Sequence, residues 1–207
     1  RSISYEEARK RIDWNRIKTT TDNAIRFMDN VNDASQGPIP VIEETVKKHR
    51  RIGYGVMGFA DMLAKLSIPY DSEEGVKIAE SVMKFINDEA KKASVDLAKQ
   101  KEVFPAFPGS KYDNGKLEDR VRNVERTTIA PTGTISMLYE VGSGIEPFFA
   151  IAYQQHIRGG DILYYFNSIF EKIAKERGFY SEELKKKIVD NHGSVQGISE
   201  VPEDIQR

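Results

Sequence analysis

From Asp71 to about Gln100 no proline interrupts the chain, and Val76, Ala79, Val82, Met83, Ile86, Ala90, Ala93 and Leu97 recur at steps of three and four. That spacing predicts one helix, the longest in the protein, with a single apolar stripe that has to be covered by other elements. Asp71 as N-cap and Glu74 three residues on make a box-like start. A chain built around such a helix is helix-rich. The other patterns agree. RIDWNRIKTTTDNAIRFMDNVND at 11–33 is a loosely amphipathic helix, weakened by Thr19, Thr20 and Thr21. GPIP at 37–40 breaks it, and IEETVKKHRR at 42–51 follows as a short helix with acids first and bases last. Asp161 to Lys175 reads as a further helix with Ile162, Tyr165, Phe166, Ile169, Phe170 and Ile173 on one side and Gly178 just past its end. Ser181 caps one more.

Strands are fewer. NVERTTIA at 123–130 reads as a buried strand. The nameable strands are separated by helices, which favours an α/β fold over α+β. Gly53, Gly55 and Gly58 give the spacing G-x-G-x-x-G, yet no βαβ unit with a downstream acid accompanies it. Glycines that let the backbone pack closely are the better reading than a dinucleotide site. EVFPAFPGSKYDNGK at 102–116 is a loop.

The stretch RTTIAPTGTISMLYE at 126–140 carries the chemistry. A strand that ends at a Thr-Gly-Thr turn and enters a helix presents amides without intrahelical partners, which suits an anion. Gly133 lets the backbone come close, and Thr132, Thr134 and Ser136 add hydroxyls. No lysine follows, so this is not a Walker A loop. It is built to hold a phosphate rather than to transfer it, with an ordinary capped turn as the competing reading.

Other classes are excluded by what is missing. There is no cysteine, so this chain has no thiolate nucleophile, disulfide or cysteine metal site of its own. His49, His156 and His192 lack ligand spacing, and no resident metal is expected. A net charge of −1 gives no field for DNA or a membrane surface, and no apolar run reaches the length of a span. With no export signal, the expected compartment is the cytoplasm.

The segments IAPTGTIS and GSGIEPFFAIAY (142–153), with RRIGYGVMGFADMLAKLSIPYDSEEG (50–75), FINDEAKKASVDLAKQKEVFPAF (85–107) and the tail EVPEDIQR, together resemble the catalytic subunit of ribonucleotide reductase, most closely its adenosylcobalamin-dependent class II type. The resemblance implies a portion of a ten-stranded α/β barrel around a finger loop. It also implies a cysteine in an N-x-C-x-E pattern that becomes a thiyl radical and abstracts the ribose 3′-hydrogen, with two further cysteines supplying electrons. By that match Ala130, Pro131, Thr132, Gly133, Thr134, Ile135 and Ser136 bind the substrate's 5′-phosphates. The implied enzyme is a ribonucleoside-diphosphate reductase, with the residues themselves leaving diphosphate and triphosphate both open. Its cofactor would be adenosylcobalamin, with contacts not assignable by residue. Its partners would be the ribonucleotide, the rest of the reductase, a thiol reductant such as thioredoxin, and a second copy when complete.

The chain departs from the family in having no cysteine and no N-x-C-x-E. The expected reading is therefore one piece, residues 1–207, from the C-terminal part of the barrel, without the upstream finger loop or the downstream tail, no catalytic residue of its own, and no activity alone. A non-catalytic nucleotide-binding or subunit-interaction module from the same fold is the alternative. Four further features are expected to be structural. Glu146 is read as a carboxylate satisfying backbone amides, Lys47–Arg51 as a solvated helix end, His156 as a satisfied or surface side chain, and Trp14, Tyr164 and Tyr165 as packing residues.

Overall fold

The computed structural model describes residues 3–156 and 162–206. The start of the helix expected from Asp161 lies outside them. So does the His156 side chain. Among the described residues the helices are α1 (Tyr5–Lys10), α2 (Trp14–Ala34), α3 (Pro40–His49), α4 (Phe59–Leu66), α5 (Glu73–Lys101), α6 (Gly133–Leu138), α7 (Ser168–Arg177), α8 (Glu182–Asp190) and α9 (Glu203–Gln206). The strands β1 (Ala152–His156) and β2 (Ile162–Phe166) pair antiparallel, with Tyr153 opposite Tyr165. No helix among the described residues is long and apolar enough to cross a membrane.

The chain divides into two compact units. One comprises Tyr5–Val56 and Val76–Pro131. Its α2 begins at Asp13, whose carboxylate accepts the Arg16 amide. Pro40 opens α3 at a position where its missing N–H costs nothing. On α5 the buried stripe is Ile78, Val82, Ile86, Ala90 and Leu97. Val76, expected on that stripe, is 66% exposed, so the stripe runs one register step away from the expected one at its start. The cap shifts as well: Ser72, not Asp71, accepts the Gly75 amide. A hydroxyl is short enough to turn back onto its own helix end, and here it also donates to the Pro69 carbonyl.

The expected buried strand at 123–130 is a correction. It makes a single parallel bridge, Tyr54 to Thr127, and Thr128, Ile129 and Ala130 are exposed. The Ile52 and Tyr54 amides donate to the Glu125 and Arg126 carbonyls, and the Thr128 amide donates back to Tyr54. Among the described residues this segment has a partner along one edge only, and a parallel strand becomes buried when both edges and faces are covered. The G-x-G-x-x-G glycines explain the close approach. A Cβ at Gly55 would lie 2.3 Å from the Thr128 carbonyl oxygen, and one at Gly53 would lie 2.7 Å from the Thr128 methyl.

The core of this unit holds a charge. Asp29 has no exposed surface. Its Oδ1 accepts from Arg50 Nε at 2.9 Å, Arg50 Nη2 at 2.8 Å and Asn123 Nδ2 at 2.9 Å. Lys101 and Arg122 approach Oδ2 at 3.5 Å. Asn123 is fixed in turn by Ser94 of α5, whose hydroxyl donates to the Asn123 side-chain carbonyl and accepts its amide. The basic run 47–51 is thus not simply a solvated helix end. Arg50 turns inward from a left-handed C-cap and is 3% exposed.

The second unit comprises Met57–Gly75 and Thr132–Arg207 with Arg1–Ser4. Its core gathers Ala152, Phe170, Ala174, Leu184, Ile188, Val195, Ile198 and Val201. The helix expected over Asp161–Lys175 is replaced here by β2 and then α7. Ile-Leu-Tyr-Tyr-Phe at 162–166 is aromatic and branched, it finds β1 as a partner, and local periodicity alone does not separate the two states. Asn167 marks the switch, its side chain accepting the Ile169 and Phe170 amides at the start of α7. Gly178 ends α7 in the left-handed region, and Ser181 caps α8, both as the sequence indicates.

Two predictions follow from the first unit, which contains Trp14, the protein's one tryptophan. Asp29→Ala removes the buried carboxylate that Arg50 Nε and Nη2 and Asn123 donate to, leaving Arg50 ion-paired with the half-exposed Asp33 at 2.7 Å, and is expected to cost about 3 kcal/mol, read as a lower urea midpoint of Trp14 fluorescence. Glu89 is held below the ordinary glutamate pKa by its bond to Lys92, which with Lys18 outweighs the desolvation of burial. Its contribution is present above the ordinary value and is lost as pH falls through the lowered one. Glu89→Gln is therefore expected to be less stable near neutrality and to show a shallower loss of stability in acid, measured by the same fluorescence between pH about 7 and 2.

Candidate functional site

The loop that the sequence marks as an anion site enters α6. Gly133 is the first helical residue and Thr132 the N-cap. The Ser136 amide is the first in this helix to find an acceptor, the Thr132 carbonyl at 2.9 Å. Among the described residues the amides of Gly133, Thr134 and Ile135 have no acceptor. Gly133 and Thr134 are exposed, and a Cβ at Gly133 would meet nothing within 4 Å. Ala130 and Pro131 are exposed and close the preceding segment.

The backbone freedom expected at Gly133 sits one residue earlier. Thr132 has φ 52°, a left-handed conformation that a β-branched side chain rarely adopts. What holds it there is its own hydroxyl, whose Oγ1 accepts the Gly144 amide at 2.8 Å. Ser136 is likewise committed: it is 2% exposed, and its Oγ bonds the Gly133 carbonyl at 3.1 Å and Ser143 Oγ at 3.0 Å. Two of the three hydroxyls expected to face an anion thus tie α6 to residues 143–144. Thr134 remains outward.

Residues 141–144 form a strap between α6 and the first turn of α4. The Gly58 amide donates to the Gly142 carbonyl at 2.8 Å, and the Phe59 amide to the Gly144 carbonyl at 3.4 Å. Asp61, in the same turn and 5% exposed, accepts the Gly142 amide on Oδ2 at 2.7 Å. Gly58 caps α4 with φ 72°, and a Cβ there would press on Val141 at 3.1 Å. Below the strap, Tyr70 Oη donates to the Ile145 carbonyl at 2.6 Å. Tyr165 stacks on Tyr153 with ring centroids 4.7 Å apart. Desolvation lifts the Tyr165 phenol above its ordinary pKa, with Tyr153 and the charges of Asp61 and Glu140 adding to it.

The sequence reading missed Asp61, Ser143 and Gly144. One signal was available for Asp61: a lone acid among the apolar residues of GFADML, where an unpartnered charge would be costly. The pairing to Gly142 joins residues far apart in the chain and had no local signature. Glu146 does not satisfy backbone amides as expected. It is exposed, and its carboxylate has no hydrogen bond among the described residues. Tyr164, expected to pack, is 60% exposed.

A cavity of about 490 Å³ lies within the same unit, lined by Leu63, Ile68, Phe148, Ile169, Phe170 and Ile173 among others. Its size is that of sites for drug-sized molecules, about 300–1,000 Å³.

Three comparisons with known proteins bear on this site. The family model described as "Ribonucleotide reductase, barrel domain" matches residues 2–207. The vitamin B12-dependent ribonucleoside-diphosphate reductase of Thermoplasma acidophilum is 44% identical over 198 residues, covering 96% of this chain and 25% of the relative. The protein of the same name from Mycobacterium tuberculosis is 41% identical over 196 residues, covering 95% of this chain and 28% of the relative. Among solved structures, the class Id ribonucleotide reductase alpha subunit of Actinobacillus ureae superposes with a TM-score of 0.71 at 25% identity, covering 92% of this chain and 33% of that one. The chain thus spans about a quarter of the length of the curated relatives it matches.

Thr132→Val keeps the shape of the side chain and removes the acceptor of the Gly144 amide. The expected local cost is about 1–3 kcal/mol, read as faster hydrogen exchange at Gly144 and Ser136. An unchanged exchange rate at Gly144 would show that the hydroxyl does not hold the strap.

Proposed function

The chain belongs to the ribonucleotide reductase barrel-domain family, and from that premise we propose that it is the substrate-phosphate portion of a vitamin B12-dependent ribonucleoside-diphosphate reductase. The observation that carries this reading is the Pro131–Ser136 loop, with three successive amides that have no acceptor among the described residues, in a chain whose relatives bear that name. The six-residue α6 is too short to attract an anion by its dipole alone. The Gly133, Thr134 and Ile135 amides would bind the 5′-phosphates by direct donation, with the Thr134 hydroxyl as a further donor. Ala130 and Pro131 would set the direction from which the backbone enters. Thr132 and Ser136 support the reading indirectly, since their hydroxyls fix the loop.

In this proposal residues 1–207 are one portion of the barrel. They orient the ribonucleotide, a diphosphate by the relatives' names, toward a thiol that another part of the enzyme provides, because this chain has no cysteine. The cofactor in this proposal is the cobalamin that the relatives' names carry, with contacts not assignable by residue. A thiol reductant such as thioredoxin, a homo-oligomeric state and a cytoplasmic setting belong to the same proposal. The alternative, a non-catalytic module, is less well supported by relatives that are named as reductases.

The isolated chain is expected to form no deoxyribonucleotide with adenosylcobalamin and dithiol supplied, and product formation by it would overturn the assignment of the thiol to another part of the enzyme. In the whole reductase, Gly133→Val places a branched side chain where phosphate should lie. A rise in KM for ribonucleotide of about tenfold or more is expected, with some loss of kcat from displaced ribose. Unchanged KM and kcat in a folded variant would put the phosphates elsewhere.

A further inference from the structure

The helix that carries the three free amides has little to hold it by packing. Ile135, Met137 and Leu138 are 48%, 68% and 79% exposed, and only Ser136 of α6 is buried. Burial of apolar surface, at about 25 cal/mol per Å², therefore contributes little to fixing it. Its place depends on hydrogen bonds: Thr132 to Gly144, Ser136 to Ser143, and the Val141 amide to the Ser136 carbonyl at 3.1 Å. All three end on the strap 141–144. The strap is fixed from the other side by the first turn of α4, through two backbone amides and one side chain, Asp61.

We propose that Asp61 is a positioning residue for phosphate binding: its buried carboxylate holds the Gly142 amide and so sets where the strap, and through it the amides of Gly133, Thr134 and Ile135, stand. This rests on the reading of that loop as the phosphate site. Asp61 does not touch the phosphate in this account. A carboxylate facing a dianion would repel it, and here its negative charge is absorbed by a backbone donor at 2.7 Å and by its place in the first turn of α4. Gly142 serves both sides of the strap, accepting from Gly58 and donating to Asp61. A side chain at Gly142 would press on that carboxylate, since its Cβ would lie 3.1 Å from Asp61 Oδ2. The carboxylate thus meets the strap at a residue that leaves it room.

The test uses the full chain, ¹⁵N-labelled, with inorganic pyrophosphate as the probe. In the unaltered protein, pyrophosphate is expected to shift the amide resonances of Gly133, Thr134 and Ile135 in a saturable way. Asp61→Ala is expected to lose hydrogen-exchange protection at Gly142 and to weaken pyrophosphate about tenfold or more, the order of effect that small misplacement of a site produces. Asp61→Asn keeps an acceptor of the same reach. It is expected to restore Gly142 protection and to bind within about threefold of the unaltered chain, well under one power of ten, which a purely structural loss of charge would not do. Should Asp61→Ala lose its far-ultraviolet circular dichroism, Asp61→Ser, whose hydroxyl stops short of the Gly142 amide, is measured in its place and read the same way. Equal affinity in the unaltered and Asp61→Ala proteins overturns the role of Asp61 and leaves the loop reading standing. No shift of the three amides in the unaltered protein overturns both.

Discussion

A carboxylate with no exposed surface has to be met by donors, or the fold that buries it fails. Asp29 meets that demand by drawing in Arg50 from the end of α3, Asn123 from the segment beside Tyr54, and Lys101 from the end of α5. Each of these brings its own element to a fixed place. Arg50 has to leave α3 in a left-handed turn to reach inward, which ends the helix. Asn123 bonds both Asp29 and the Arg50 carbonyl, and so sets the register in which 125–128 runs beside 52–54. The glycines at 53 and 55 then permit a backbone approach that any Cβ would block. Hydrophobic burial supplies the bulk of the stabilisation in this unit, but it is non-directional. The directional bonds to one carboxylate decide the arrangement.

The other unit shows the same division of labour on a smaller scale. Its core of Phe170, Leu184, Ile188 and their neighbours gathers α7, α8 and the paired strands β1 and β2. The proposed phosphate loop takes no part in that core. It is carried on a short, exposed helix and held by side-chain oxygens on a strap of small residues. Such a site keeps its amides free because the polar groups that fix it come from Thr132, Ser136 and Asp61, not from the amides themselves. The left-handed Thr132 is consistent with a local conformation kept by its surroundings, as strained residues at binding sites commonly are.

Much of this was readable along the chain, and the failures are instructive. The long helix, the caps at Ser181 and Gly178 and the breaker at 37–40 all depend on neighbours within a turn or two, and they stand as read apart from the long helix's cap, which falls on Ser72. The helix read over 161–175 failed because a short aromatic and branched run fits either state until a partner strand is known. The buried strand read over 123–130 is reduced to a single bridge with exposed residues at its end, because pairing and burial depend on which segments cover it. Arg50 was read with its basic neighbours as solvated, since nothing local shows that Asp29, twenty-one residues earlier, would be waiting in the core.

The sequence by itself determined the helix-rich α/β character, the family, and the residues of the loop, because motif spacing and helical periodicity are properties of consecutive residues. It also determined that no thiol chemistry can originate in this chain, because cysteine is absent. Only the tertiary structure decided how the loop's atoms are used. It turned Thr132 and Ser136 inward as tethers, left the amides of Gly133, Thr134 and Ile135 without acceptors, and placed Asp61 against Gly142. The physical reason is that a hydrogen bond needs its two groups within about 3 Å, and eighty-one residues of chain separate this pair. Composition and spacing carry no information about that distance; it exists only once α4 and the strap have folded onto each other.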